Sequence, residues 1–142
     1  MNISKLMTGF CVSLLLLSSQ LASAETAVIV SNSNANASID GDVISRMFLG
    51  KTSKFPDGGQ AVPIDQNDGT PARDAFNDSI LGKNSSQLKA YWSRLIFTGK
   101  GTPPKQAGDD AAVKALVAAN PNMIGYIDSS AVDDSVKVVH KF

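Results

Sequence analysis

Apolar positions fall along this chain in two alternating rhythms. Thr26 to Ser31 (TAVIVS) is a continuous β-branched run, the pattern of a strand buried on both faces. Small polar residues follow from Ser31 to Ser38 (SNSNANAS), a loop that is either a connector or a ligand rim. Asp40 fits a helix N-cap, Ile44, Met47 and Phe48 then share one helical face, and Gly50 stops the helix after Leu49. Pro56-Asp57-Gly58-Gly59 marks a turn, and Gln60 to Asp65 reads as a second strand. Thr70 fits the next N-cap and Pro71 the first helical position, where a missing N–H is harmless. This second helix is expected to run to about Leu81, with Ala72, Ala75, Phe76 and Ile80 inward and Gly82 ending it. Ser85 or Ser86 is expected to cap a third helix, in which Leu88, Trp92, Leu95 and Ile96 recur at helical spacing. Tyr91 and Trp92 are expected in the core. After a loop of glycine and proline from Gly99 to Gly108, Asp109 begins a fourth helix with Ala112, Val113, Leu116 and Val117 inward. Asn120-Pro121-Asn122 breaks it, and Met123 to Ile127 and Val136 to His140 read as two further strands.

About four strands alternating with about four helices predict an α/β fold. The expected form is a single three-layer-like lobe with a mixed, mostly parallel sheet. Ligands of such sheets collect at the carboxyl ends of strands, beside helix N-termini. Those ends are expected at Ser31 to Ser33, Asp65 to Thr70 and Asp128 to Ser130.

The first 24 residues change the picture. Lys5 precedes an apolar stretch densest in Val12 to Leu17, and Ala22-Ser23-Ala24 is a small-x-small cleavage pattern. These are the parts of a secretory signal peptide, too short in its apolar run to span a bilayer. Residues 25–142 are then expected to be one exported, periplasmic domain with no membrane span. The single Cys, Cys11, lies inside the apolar run, so neither a lipid anchor nor a disulfide is expected. Thirteen basic residues balance thirteen acidic ones, and removing Lys5 leaves one net negative charge. That balance excludes nucleic acid as a partner, which demands a basic patch.

Candidate chemistry centres on Asp68-Gly69-Thr70-Pro71. This turn aims the start of a helix, with its unpaired N–H groups, out of the end of a strand, a place suited to an anion. Thr70 either caps the helix or also holds an oxyanion. Asp68 either shapes the turn or accepts a hydrogen bond from a protonated ligand oxygen. Arg73 either neutralises an anion or lies solvated beside Asp74 and Asp78. No metal, cofactor or catalytic set is expected: His140 is the only His, no Cys remains after cleavage, and no G-x-S-x-G stretch exists.

Several segments, in order, resemble the phosphate-type solute-binding proteins of bacterial ABC transporters. RMFLGK at 46–51 is similar to the family's R-I-F-L-G-K stretch, and Phe55-Pro56-Asp57-Gly58 to the W-x-D-G turn after it. Asp68-Gly69-Thr70-Pro71 through Phe76 stands where the family carries R-x-D-G-S-G-T and a helix with Phe. Ala90-Tyr91-Trp92 and Asn120 to Tyr126 resemble the later W and T-P-G-A-I-G-Y-V segments. The resemblance implies one lobe of a type 2 periplasmic binding protein, with phosphate or a similar small oxyanion as ligand and a membrane transporter or sensor protein as partner. It implies ligand contacts from Ser31, Asn32, Ser33, Gly69 and Thr70, to which the reading of the turn adds Asp68 and Arg73. Pro71 and Ala72 replace the family's Gly and Thr, and its phosphate-holding Arg falls near Asp65 or Gln66, which carry no positive charge. Arg73, one turn into the helix, is the available substitute. The alternative is an interaction or sensor-accessory protein that kept the lobe and lost the ligand.

Overall fold

The computed structural model describes residues 25–142, so the expected leader at 1–24 lies outside the described residues. The elements follow the alternation of the sequence: β1 (Thr26–Ser31), α1 (Gly41–Phe48), β2 (Val62–Asp65), α2 (Pro71–Phe76), α3 (Ser85–Phe97), β3 (Lys105–Gln106), α4 (Asp110–Ala119), β4 (Met123–Asp128) and β5 (Val136–Lys141). The second helix is less regular than its spacing predicts. After Phe76 it widens into a π turn, Asn77–Leu81, because the amide of Gly82 reaches back to the Asn77 carbonyl. The amide of Lys83 bonds the same oxygen at 3.1 Å.

The five strands form one sheet in the order β3-β2-β4-β1-β5. β2 is parallel to β3 and β4, whereas β1 is antiparallel to both β4 and β5. Four strands therefore point one way and β1 points the other, giving the mixed, mostly parallel sheet expected. The unexpected strand is β3. It is two residues long and follows Pro103-Pro104, whose missing N–H groups shorten any ladder there, so it left no periodic signal.

β1 is buried on both faces, as its unbroken apolar run requires. Val28 and Val30 face α1 and α2, packing with Ile44, Phe48 and Phe76. Ala27 and Ile29 face α4, packing with Val113 and Val117. The result is three layers: two helices, the sheet, and one helix. Gly125 sets the spacing of β4 and α4, because a Cβ there would lie 2.6 Å from Val113 Cγ1 and 3.2 Å from Val117 Cγ2. Phe76 stacks on Tyr126 with ring centroids 4.1 Å apart and meets Phe48 edge-on at 4.6 Å, which ties α2 to β4.

α3 departs from expectation: Asn84, not Ser85 or Ser86, caps it, and Gln87 completes a capping box. Leu88 is its only buried residue, Tyr91, Trp92 and Leu95 are half-buried, and Ile96 is 54% exposed. The helix lies over the rim of the lobe, where Tyr91 donates to the Leu49 carbonyl at 2.6 Å and Trp92 approaches Gly50. Its apolar stripe is real, but the sheet is not beneath it.

Candidate functional site

The strand directions decide which expected site residues can meet. Because β1 runs against the other four strands, Ser31 pairs with Val136 and lies beside the amino end of β4, while Thr26 lies opposite Asp128. Ser31, Asn32 and Ser33 therefore open at the opposite end of the strands from the 65–73 turn. The two groups are separated by roughly the length of β1, about 17 Å at ~3.4 Å per residue. The expectation that both loops grip one anion fails on this geometry. The first loop is also tied to itself. Ser31 accepts from the Ser33 amide at 3.2 Å, and Asn32 donates to the Asp134 carbonyl. Asn34 accepts from both the amide and the carboxamide of Asn36.

Asp68, Gly69, Thr70 and Arg73 do come together, at the carboxyl end of β2. Gly69 takes φ +85°, which turns the chain from strand to helix. Thr70 caps α2 by accepting from the Arg73 amide at 3.4 Å, and its hydroxyl donates to the Asn67 carbonyl at 3.2 Å.

Arg73 folds back under the turn rather than out to solvent. Nη1 donates to the Gln66 carbonyl at 2.8 Å and pairs with Asp68 at 3.0 Å, and Nη2 lies 3.6 Å from Asp65. The two carboxylates differ in kind. Asp65 is buried, whereas the side chain of Asp68 is 67% exposed. Burial pushes the Asp65 carboxyl above its usual value, opposed by the hydrogen bond from Tyr126 and the charge of Arg73. Burial and the neighbouring carboxylate likewise raise the Tyr126 phenol, which stays protonated and donates to Asp65.

A second buried link holds the same end of the sheet. The Gln66 carboxamide donates to Asp110 at 2.7 Å and to the Tyr126 carbonyl at 2.9 Å, and Asp110 accepts from the Asp128 amide at 3.1 Å. Asp128 accepts from the amide and hydroxyl of Ser130, which lowers its pKa.

Beside Arg73 lies an open cleft of about 220 Å³, walled by Asp68, Asn77, Leu88, Lys89 and Trp92 among others. Asn77 is buried, yet its carboxamide oxygen has no hydrogen-bond partner, nor has Nε of Arg73. Both polar atoms thus belong to residues of one cleft, with the exposed Lys89 at its rim. Sequence reasoning missed Asn77, Lys89, Gln66 and Tyr126. Asn77 stands four residues after Arg73, on the same helical face, a spacing that could have flagged it. Nothing in the spacing of Lys89 could.

Among the described residues no His, Cys, Asp or Glu cluster could hold a metal ion, and no helix is long and apolar enough to cross a membrane.

The fold defines a class: an α/β lobe of the kind found in substrate-binding proteins of phosphate ABC transporters, to which the chain is similar in solved structures. One is a Clostridium perfringens protein described as a phosphate ABC transporter substrate-binding protein, with phosphate bound. It is 27% identical over 82% of this chain, with a TM-score of 0.65. An ABC-type phosphate transport receptor from Vibrio cholerae covers 82% of the chain at 17% identity and TM-score 0.65. PstS from Borrelia burgdorferi does so at 11% identity and TM-score 0.59, so these two show the fold alone. The chain spans about half the length of these proteins, covering 45%, 46% and 47% of them. No family model and no curated protein matches the sequence.

Proposed function

We propose that residues 25–142 form an exported binding module for phosphate or a similar small oxyanion, akin to the substrate-binding component of a phosphate ABC transporter. The observation that carries this is the likeness, in fold and at 27% identity, to the phosphate-bound Clostridium perfringens protein. The cleft at Arg73 supports it: it is bordered by two cations, Arg73 and Lys89, and Arg73 keeps a buried donor, Nε, without a partner. The anion would approach from the side of Asp68 and take over the Arg73 Nη1 contact that this exposed carboxylate now holds. Asp68 would then accept a hydrogen bond from a protonated ligand oxygen. Phosphate keeps such a proton near neutrality and sulfate does not, so phosphate should be preferred. Ser31, Asn32 and Ser33 take no part in this site.

Calorimetric titration of residues 25–142 with phosphate, then sulfate, at low salt tests the proposal. Saturable heat from phosphate, weakened several-fold by Thr70→Ala and by Lys89→Ala, is the expected result. No heat from either anion, with the protein folded, would refute it.

The pairing of Arg73 with two carboxylates favours a second assignment. A guanidinium already neutralised has little charge left for a dianion. In that case the chain is a periplasmic interaction or sensor-accessory protein that retains the lobe without the ligand.

A further inference from the structure

The segment from Ser79 to Gly108 contains five cations, Lys83, Lys89, Arg94, Lys100 and Lys105, and none of the chain's 13 acidic residues. Since basic and acidic residues balance over the whole sequence, the rest of the lobe is correspondingly acidic. Within the 79–108 segment Lys83 shares a cleft with Asp74 and Asp78, and Lys89 one with Asp68, whereas among the described residues Arg94, Lys100 and Lys105 form no ion pair.

α3 turns one side to the lobe through Leu88, Tyr91, Trp92 and Leu95. At about 100° per residue the other side carries Ala90, Ser93, Arg94 and Phe97, with Lys89 turned to the cleft at Arg73. Phe97 is 93% exposed and Ile96 beside it 54% exposed. An aromatic ring left this bare in the last turn of a helix makes no contribution to the core. Lys100 and Lys105 continue the basic surface beyond the helix and are themselves exposed. Among the described residues the ion pairs engage Arg73 and Lys114 and leave the cations around Phe97 without a carboxylate.

We propose that this face of α3, centred on Phe97, docks the lobe onto an anionic lipid bilayer surface. Interfacial helices combine Lys and Arg with aromatic or aliphatic side chains that enter the headgroup boundary. Here Ala90 and Ser93 are small enough to let the helix lie flat, and the cations flank the ring that enters. Charge complementarity with Arg94, Lys100 and Lys105 selects an anionic surface. A broad charged plane fits the spread of the cations along the helix and the following loop better than a single small anion does.

Cosedimentation of residues 25–142 with lipid vesicles tests the proposal. The sheet and both packed layers lie within these residues, and omitting 1–24 removes an apolar run that would bind lipid by itself. Binding is expected to mixed phosphatidylglycerol–phosphatidylcholine vesicles and not to pure phosphatidylcholine. Each of Arg94→Gln and Lys100→Gln should weaken it about fivefold. Phe97→Ser should weaken it roughly tenfold or more while leaving thermal stability unchanged, since the ring is in water. Raising the salt to ~1 M should release the protein. Equal pelleting with both vesicle types, or full binding by Phe97→Ser, would overturn the proposal. So would no pelleting with anionic vesicles, which would leave an acidic protein as the cover for Phe97.

Discussion

Replacing Tyr126 by Phe isolates the hydrogen bond on which the buried end of β2 depends. The phenol donates to the Asp65 carboxylate and accepts from the Gln66 amide at 3.2 Å. The ring itself stacks on Phe76, and Phe preserves that contact. What is lost is one donor to a buried, charged acceptor. Hydrogen bonds to charged groups contribute about 1.5–3 kcal/mol, so a loss of about 2 kcal/mol at neutral pH is expected. The Gln66 amide is not stranded, because it also bonds Asp65 at 3.1 Å. For a domain of this size about 2 kcal/mol corresponds to a fall of roughly 8 °C in Tm. The pH dependence gives the sharper test. Burial already raises Asp65 above its ordinary value in the folded state, and removing the Tyr126 donor raises it further. A raised folded-state carboxyl binds its proton more readily than in the unfolded chain. Its ionisation therefore costs stability as pH rises through the window above the ordinary carboxylate value, and the cost is relieved as pH falls toward ~4. The Tyr126→Phe penalty should shrink as the pH is lowered. Urea denaturation of both proteins across that window measures it. An identical penalty at every pH, or one below about 0.5 kcal/mol at neutrality, would refute the assigned role of the phenol.

Two other substitutions probe packing and charge. Gly125→Ala forces a Cβ to within 2.6 Å of Val113 Cγ1 and should cost about 1–3 kcal/mol by overpacking, seen as a lower urea midpoint; Val113→Ala in the same chain should recover part of it. Arg73→Met leaves Asp65 buried without its cation and should cost about 3–5 kcal/mol, whereas Arg73→Met with Asp65→Asn should cost clearly less. Equal losses in the single and double variants, read by thermal melting, would show that the Asp65–Arg73 pair does not carry the effect.

Much of the fold was legible because its signals are local. The β-branched run TAVIVS points to a buried strand, and Thr70-Pro71 marks the start of α2 without reference to anything distant. Strand direction is not local. Whether β1 runs with or against β4 depends on pairing across nearly a hundred residues, and the same apolar run satisfies either choice. That single undetermined direction separated Ser31 to Ser33 from the rest of the expected site. The third helix failed for a related reason. A stripe of Leu88, Trp92, Leu95 and Ile96 says that one side is apolar but not what lies beneath it, and here only Leu88 finds full cover. Arg73 was legible as a candidate, but its partners were not. Asp65 and Asp68 are eight and five residues upstream across a turn, and only the fold brings both to one guanidinium.

That guanidinium links stability to the proposed binding. Its contact with Asp65 is buried and cannot be surrendered without leaving a carboxylate uncompensated, a loss of about 3–5 kcal/mol. Its contact with Asp68 is exposed, and such pairs contribute only about 0–1 kcal/mol. An anion entering the cleft can therefore exchange for Asp68 at little cost and cannot exchange for Asp65. Half of Arg73 belongs to the fold and half is available to a ligand. The retained Asp65 charge also repels whatever the free half attracts, by about 4 kcal/mol between unit charges at ~4 Å in an intermediate dielectric. Affinity in this site then rests on additional contacts from Lys89, Asn77 and the Thr70 turn. For that reason Lys89→Ala, which disturbs no buried pair, separates ligand binding from folding more cleanly than any change at Arg73.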